Sequence, residues 1–547
     1  MSFTPFGFYL CNLFIGQKFG NFRKNALLPQ VFFRKIYKKI DFLYIDKNVI
    51  ILHNISGGDI MPYKNTTNHT SDFSTRITDY VESSGYTVYK LAQITGLGRT
   101  AIHQVMSGRL VPARDFFERL SSVFMITPQQ KAELTELYFR EKMGSKLYDE
   151  QKRLIEMIER LPQYYIDSSE ALSVGYVSVI GSGAVNGLFN VNRALMELIG
   201  RETDRPEPTV CSTVPFRNKS FFELVMQVFG KSSGKAVFEH FIRIYKTGEN
   251  SLDHNMDTLE NLLKMSMNTG VSYRPYSHYV HEDAVDDIMP IYPYFVVTSE
   301  YTALIAADFQ SAFITDDEAV MAAASEHIRS LKSNSVLAVE QIDESRMFGI
   351  FAESTRAYIK SIEFQPCLSK YLTFDVVKKR LIDVPEKDII IETLAKNFFT
   401  PEQLEFTLTQ TAECFYTEQG LEYFAETGAM LNMPGHLLKP LSEEERIYIL
   451  KEMKKDIGEY FKLLDDEKIR IPGFIQLILL KNQKCIVSCL MEKKNFCCVL
   501  SEQSLFNAFY GLMETLNERD FTLPNEKAVR YIDICIEKLE NKILEKQ

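Results

Sequence analysis

The 547-residue sequence contains no tryptophan, which excludes nothing about activity. It has no apolar run approaching the ~18 to 20 residues that cross a bilayer, which argues against a polytopic membrane protein. It has no dense disulfide framework. The nine cysteines (11, 211, 367, 414, 485, 489, 497, 498 and 535) are odd in number and sit mostly inside apolar stretches, as reduced thiols of a cytoplasmic protein would. Nor is there an excess of positive charge: 62 Lys and Arg face 72 Asp and Glu, a formal charge of -10. Any case for nucleic acid must therefore be local. What is present is the balance of a globular chain, 45% hydrophobic and 24% charged, long enough for roughly two to four domains.

Residues 1–60 differ from the rest. They hold eight basic residues against three acidic ones, no Glu, and nine of the 39 phenylalanines. Gly57-Gly58-Asp59-Ile60-Met61 back-translates naturally to a purine-rich ribosome-binding sequence followed by a start codon. The expectation is an upstream extension over 1–60, a true start at Met61, and a flexible lead-in over 61–73. A targeting peptide and a membrane-surface anchor are the competing readings, but no basic region precedes the apolar Phe6–Ile15 stretch and no small-residue cleavage site follows it.

Residues 74–145 read as short helices with short connections. Ile77, Tyr80 and Val81 share one face of a first helix, which Ser83-Ser84-Gly85 ends. Thr87 caps a second helix holding Leu91, Ala92 and Ile94. Gly96-Leu97-Gly98 is a three-residue turn. A third helix, 99–106, points Ile102 and Val105 inward, and Gly108 stops it. Pro112 opens a fourth helix, and Thr127 caps a fifth. Two short helices joined by a Gly-containing turn form the helix-turn-helix pattern. The run from Gly85 to Ile102, with Gly108-Arg109-Leu110-Val111-Pro112 after it, resembles the Xre/Cro family of phage-repressor-like regulators. The chain departs from that family at Val88 and Tyr89, where Gln or Glu is usual, and at Met106.

The resemblance implies that the third helix enters the major groove. Its exposed positions are Arg99, Thr100 and His103, with Gln104 a turn further on. Arg can bond a guanine edge with two hydrogen bonds, Gln can do the same to adenine, and Thr can touch a thymine methyl. Arg109 and Arg114 flank the helix and could pair with phosphates, which position a protein without reading sequence. Between Gly98 and Arg114 there are three arginines and no acid.

The remaining four hundred residues show no disordered linker. Residues 147–161 form a helical connector or a dimerisation helix, and long amphipathic stretches follow at 219–246, 255–267, 316–331, 340–362, 402–416 and 443–464. The expected class is mainly α with α+β: an N-terminal all-α helix-turn-helix domain, then a mostly helical effector region with short antiparallel sheets. That region divides into 146–335 and 336–547. Residues 289–331 and 471–516 share an order of three strand-like pieces and a helix, which suggests a duplicated β-β-β-α unit or convergence.

Other constellations fail on chemistry. Gly181-Ser182-Gly183-Ala184-Val185-Asn186-Gly187 has a glycine one position late for a dinucleotide loop. The glycines of Gly230-Lys231-Ser232-Ser233-Gly234-Lys235 are too close for a phosphate loop, and Ala236 cannot ligate magnesium. His278, His281, Glu282, Asp283, Asp286 and Asp287 could surround a metal, but a solvated acidic loop accounts for them better. Cys485, Cys489, Cys497 and Cys498 read as small core residues of alternating strands.

These readings converge on a bacterial, cytoplasmic transcriptional regulator that is not an enzyme and needs no metal or cofactor. Its expected partners are double-stranded operator DNA, a second copy of the chain and an unidentified small-molecule or peptide effector, with no membrane. An enzyme or an interaction scaffold with a helix-turn-helix head, its chemistry or partner binding in 146–547, is the alternative.

Overall fold

The computed structural model describes residues 43–46, 49–52, 71–164, 181–229, 236–245, 251–267, 271–280, 291–342, 346, 350, 358–383, 387–400, 412–431, 438–491 and 494–546. Two compact units divide it, Met1–Lys142 and Met143–Gln547.

In the first unit, strands β1 (Leu43–Asp46) and β2 (Val49–Leu52) pair as an antiparallel hairpin. Five helices follow: α1 (Asp72–Ser83), α2 (Val88–Thr95), α3 (Arg99–Met106), α4 (Arg114–Ser121) and α5 (Pro128–Met143). Phe73 of α1, Phe117 of α4 and Tyr138 of α5 share the core, the last two rings stacked 4.3 Å apart. The Tyr138 hydroxyl, which could not be buried unpaired, donates to the Pro112 carbonyl at 3.1 Å.

The second unit opens with α6 (Ser145–Arg160) and then contains two large mixed sheets. Chain order in the first is β3 (Gly183–Asn186), α7 (Leu188–Thr203), β4 (Thr209–Ser212), α8 (Lys219–Phe229), β5 (Ala236–Tyr245), α9 (Ser251–Ser266) and β6 (Val271–Val280). It continues with β7 (Tyr294–Val297), β8 (Thr302–Ile305), β9 (Ser311–Thr315), α10 (Glu318–Ser333) and the short edge strand β10 (Val336–Leu337). The second sheet uses β11 (Val339–Gln341), β12 (Tyr358–Glu363), α11 (Phe374–Arg380), α12 (Lys387–Phe398), β13 (Glu413–Tyr416), α13 (Glu418–Thr427), α14 (Glu443–Lys455) and β14 (Phe461–Leu463). The meander β15 (Ile475–Leu480), β16 (Cys485–Met491), β17 (Lys494–Leu500) follows, then α15 (Gln503–Thr515) and α16 (Asn525–Lys546).

Strand order runs β10-β6-β5-β4-β7-β8-β9-β3 in the first sheet and β11-β17-β16-β15-β12-β13-β14 in the second. Leaving aside the extra edge strand β10 of the first sheet, and lettering the other seven strands of each half a to g in chain order, both sheets read a-g-f-e-b-c-d. In both, b, c and d are parallel and joined by helical crossovers, while e pairs antiparallel with b and a with g. Crossovers that step one way along a sheet and keep the right hand must lie on one face. Each half obeys this: its crossover helices cover one face, and the helix after strand g covers the other.

The crossover face of the first sheet and the opposite face of the second share one core with α6, α7, α8, α9 and α15. The segment 336–341 ties the two edges together. Val336 and Leu337 pair with β6, Val339 to Gln341 pair with β17, and the Ala338 amide donates to the Pro275 carbonyl at 2.8 Å.

This architecture overturns the expected class. The chain is not mainly helical with short antiparallel sheets, because eight- and seven-stranded mixed sheets with parallel centres organise the second unit. Nor is an all-α N-terminal domain shown: β1 and β2 belong to the first unit, and residues 53–70 lie outside the described residues. Four stretches expected to be amphipathic helices are partly strand, and one of them, 443–464, ends in the edge strand β14. Residues 236–245, 358–363 and 413–416 are central strands with parallel neighbours, covered on both faces, and their polar and apolar residues do not alternate, so no period of two gives them away.

Candidate nucleic-acid interface

The pair α2–α3 is fixed locally. Thr87 caps α2, its side chain accepting from the Lys90 amide at 3.2 Å. Gly96 ends that helix at φ +69°, a left-handed conformation that a side chain would strain. Leu91, Ile102 and Val105 are fully buried. Leu97 is only half-buried in the turn.

Two contacts set the pose of the pair. Thr78 of α1 donates to the Met106 carbonyl at the end of α3, at 3.2 Å. Arg119 of α4 donates from Nε and Nη2 to the Thr95 carbonyl, at 3.1 and 2.7 Å, satisfying an orphan acceptor at the end of α2. Reading the sequence missed Arg119. Its only signal was a basic residue beside the buried Leu120 on the fourth helix.

With Ile102 and Val105 inward, the opposite side of α3 is presented to solvent. Arg99, Thr100, His103 and Gln104 are all exposed there. Arg109 follows just past the end of α3 and is also exposed. Its amide donates to the Gln104 carbonyl at 2.9 Å, which keeps it beside that helix. Arg114 starts α4, is half-buried and already has an interaction partner. Five of the six expected residues thus form one solvent-facing set, and Arg114 stands apart in burial.

Tyr89 was the second residue missed. It is 56% exposed, and the Arg99 guanidinium lies 5.4 Å from its ring centre. A cation over an aromatic face loses rotamer freedom and keeps its hydrogen-bonding edge available. The departure of Tyr89 from the family pattern therefore supplies a brace for Arg99.

His278 lies on β6 with its imidazole pKa lowered by burial and by Arg243, while 281–290 lie outside the described residues. Among the described residues, no group of three or more His, Cys, Asp or Glu could hold a metal ion. Cys485, Cys489 and Cys498 face the shared core and Cys497 the other side, and burial pushes all four thiols up. Residues 183–186 are strand β3, followed by Gly187 and α7, and 230–235 lie outside the described residues. No described helix is long and apolar enough to cross a membrane.

No protein family and no curated protein matches the sequence. Among solved structures, the chain is similar to TrmBL2, an archaeal chromatin protein described as showing a novel mode of DNA binding. That match has 11% identity and a TM-score of 0.19, over 48% of this chain and 93% of the other. Polyphosphate kinase from Porphyromonas gingivalis matches at 9% identity and the same TM-score, 0.19, over 69% of this chain and 60% of that one. Likeness this slight establishes neither fold nor function.

Proposed function

We propose that the chain is a sequence-specific DNA-binding regulator of transcription, with α3 in the major groove and the second unit serving for sensing or assembly. One observation carries this reading: Arg99, Thr100, His103 and Gln104 share the exposed side of a short helix whose other side is locked into a core. Arg99 and Gln104 would bond base edges, Thr100 and His103 would contact bases or phosphates, and Arg109 and Arg114 would meet the backbone. One such unit makes few base contacts, so two copies of the chain would engage half-sites about 34 Å apart.

The test is selection of the full chain against random duplexes at two salt concentrations. Enrichment of a two-fold-symmetric motif that survives the higher salt is expected. The Arg99→Ala, Gln104→Ala double variant should then lose about tenfold or more in affinity for that motif. Motif-free binding that vanishes with salt would sink the reading, because it reports charge alone. Unchanged affinity in the double variant would show that α3 is not the reader.

A further inference from the structure

The outward face of the second sheet is lined largely by Ile478, Leu480, Ile486 and Val499 on one side and by Phe461 and Leu463 on the other. Across it runs one polar row. Ser488, Gln476, Glu363 and Tyr416 are successive register partners on β16, β15, β12 and β13. All are buried, Gln476 to 3% exposure, Glu363 to 1% and Tyr416 to 0%. Ser488 Oγ donates to Gln476 Oε1 at 3.1 Å. Glu363 Oε1 accepts from Ser361 Oγ at 2.6 Å and from Cys414 Sγ at 3.8 Å. Among the described residues, Gln476 Nε2, Glu363 Oε2 and the Tyr416 hydroxyl have no hydrogen-bond partner. Register partners stand about 5 Å apart, so three unpaired polar atoms arise from three adjacent positions on one face.

Their place in the fold is informative. They lie at the carboxyl ends of parallel β12 and β13, beside antiparallel β15, where sheets with helical crossovers bind ligands. The counterpart row of the first sheet pairs Ser212 with His240. There the polar atoms are satisfied from within: His240 Nε2 donates to the Val214 carbonyl at 2.8 Å, Nδ1 accepts from the Tyr273 hydroxyl at 2.9 Å, and Ser212 Oγ accepts from the Val214 amide. Among the described residues, the titratable groups that face Glu363 are Tyr358 on its own strand, Cys414 and Tyr416 on β13, and Tyr460 just before β14. None of these is a cation, and Lys370, whose ammonium lies 4.2 Å from the Tyr460 ring centre, is already paired with Asp456.

We propose that this row binds a small molecule carrying a protonated amine, with Glu363 as counter-charge and Tyr416 and Gln476 as the flanking hydrogen-bond partners. Oε2 of Glu363 and the Tyr416 oxygen accept two ammonium protons. The Gln476 amide offers its oxygen by a half turn that leaves Ser488 bonded to its nitrogen. Burial pushes the Glu363 carboxyl up to about 7, so the amine binds more tightly as the pH rises through that value. That the occupant is the effector of a DNA-binding protein rests on the function proposed above; the site itself does not.

The experiment is thermal unfolding of the full chain with methylammonium chloride, against sodium chloride at equal ionic strength and acetamide as neutral control. Methylammonium should raise Tm beyond sodium chloride, more at pH 8 than at pH 6. Glu363→Gln should stay folded and lose that shift, and Tyr416→Phe should need about tenfold more methylammonium for it. No shift beyond sodium chloride, an equal shift in Glu363→Gln, or an equal shift with acetamide would each overturn the amine site. The readout involves no DNA, so this outcome and that of the duplex selection stand or fall separately.

Discussion

The two halves of the second unit repeat one strand order, a-g-f-e-b-c-d, and use its parts differently. The helix after strand g shows this most directly. In the second half it is α15, which buries Leu505, Phe506, Phe509, Leu512 and Met513 between the halves. In the first half it is α10, which has no buried residue and lies over a small cluster of Cys211, Phe241 and Val297. The same topological position is thus core in one half and cover in the other. Position in a repeat therefore does not fix burial: it depends on what stacks on that face, and only the second half has a neighbouring half stacked there.

Substitution of equivalent helices should give the widest contrast. Phe509→Ala should cost about 3–5 kcal/mol through the cavity it leaves, and Ile328→Ala of half-exposed α10 about 1 kcal/mol or less, compared by urea midpoints. Equal costs would mean that α10 is also core, covered in solution by something else.

Opposite pH dependences come next. Burial lowers the His240 pKa to about 4, so its contribution is fully present above about 6.5 and is lost as pH falls toward and through 4. Burial raises the Glu363 pKa to about 7, so its contribution is fully present below about 4.5 and is lost as pH climbs toward and through 7. Glu363→Gln should therefore stabilise the chain at pH 8 by roughly 2 kcal/mol relative to pH 5, and His240→Gln should flatten the acid limb between pH 6.5 and 4. The same slope in both variants would remove the distinction between the halves.

The smallest effect is expected on the cover helix. Lys332 of α10 bridges to Glu239 of β5 at 2.5 Å, with the lysine side chain 43% exposed and the glutamate side chain 9%. Lys332→Ala should cost only about 1 kcal/mol, since a half-exposed pair is screened by solvent. It should also push the Cys211 thiol up further, because the Lys332 ammonium offsets part of the rise that burial and the neighbouring Glu239 impose on it.

Local physics made the short helices of the first unit readable, though not its β1–β2 hairpin. The cap at Thr87, the left-handed glycines 96 and 108, and the inward Ile102 and Val105 are short-range features whose spacing is written in the chain, whereas the Ser71 cap falls in the expected flexible lead-in. The Arg119 brace was not readable, because its target carbonyl lies 24 residues away. In the second unit the sequence likeness covers only strands e to g and the helix after them, where antiparallel neighbours are also neighbours in sequence. Strands b to d gave no such sign. Their crossovers differ in length, and strands covered on both faces, such as β5 and β12, carry polar residues (Glu239, His240, Arg243; Lys360, Ser361, Glu363) without the alternation that marks a half-exposed strand.

By itself, then, the sequence determined the short helices, their caps and turns, and the exposed set Arg99, Thr100, His103, Gln104 and Arg109, all of which depend on neighbours within a few turns. Only the tertiary structure decided that two mixed sheets share one strand order, that α15 is core while α10 is cover, and that Gln476, Glu363 and Tyr416 stand side by side. Those residues are separated by more than fifty positions of chain, and no periodicity records which strands lie next to one another. Register does, and register is set only when the sheet closes.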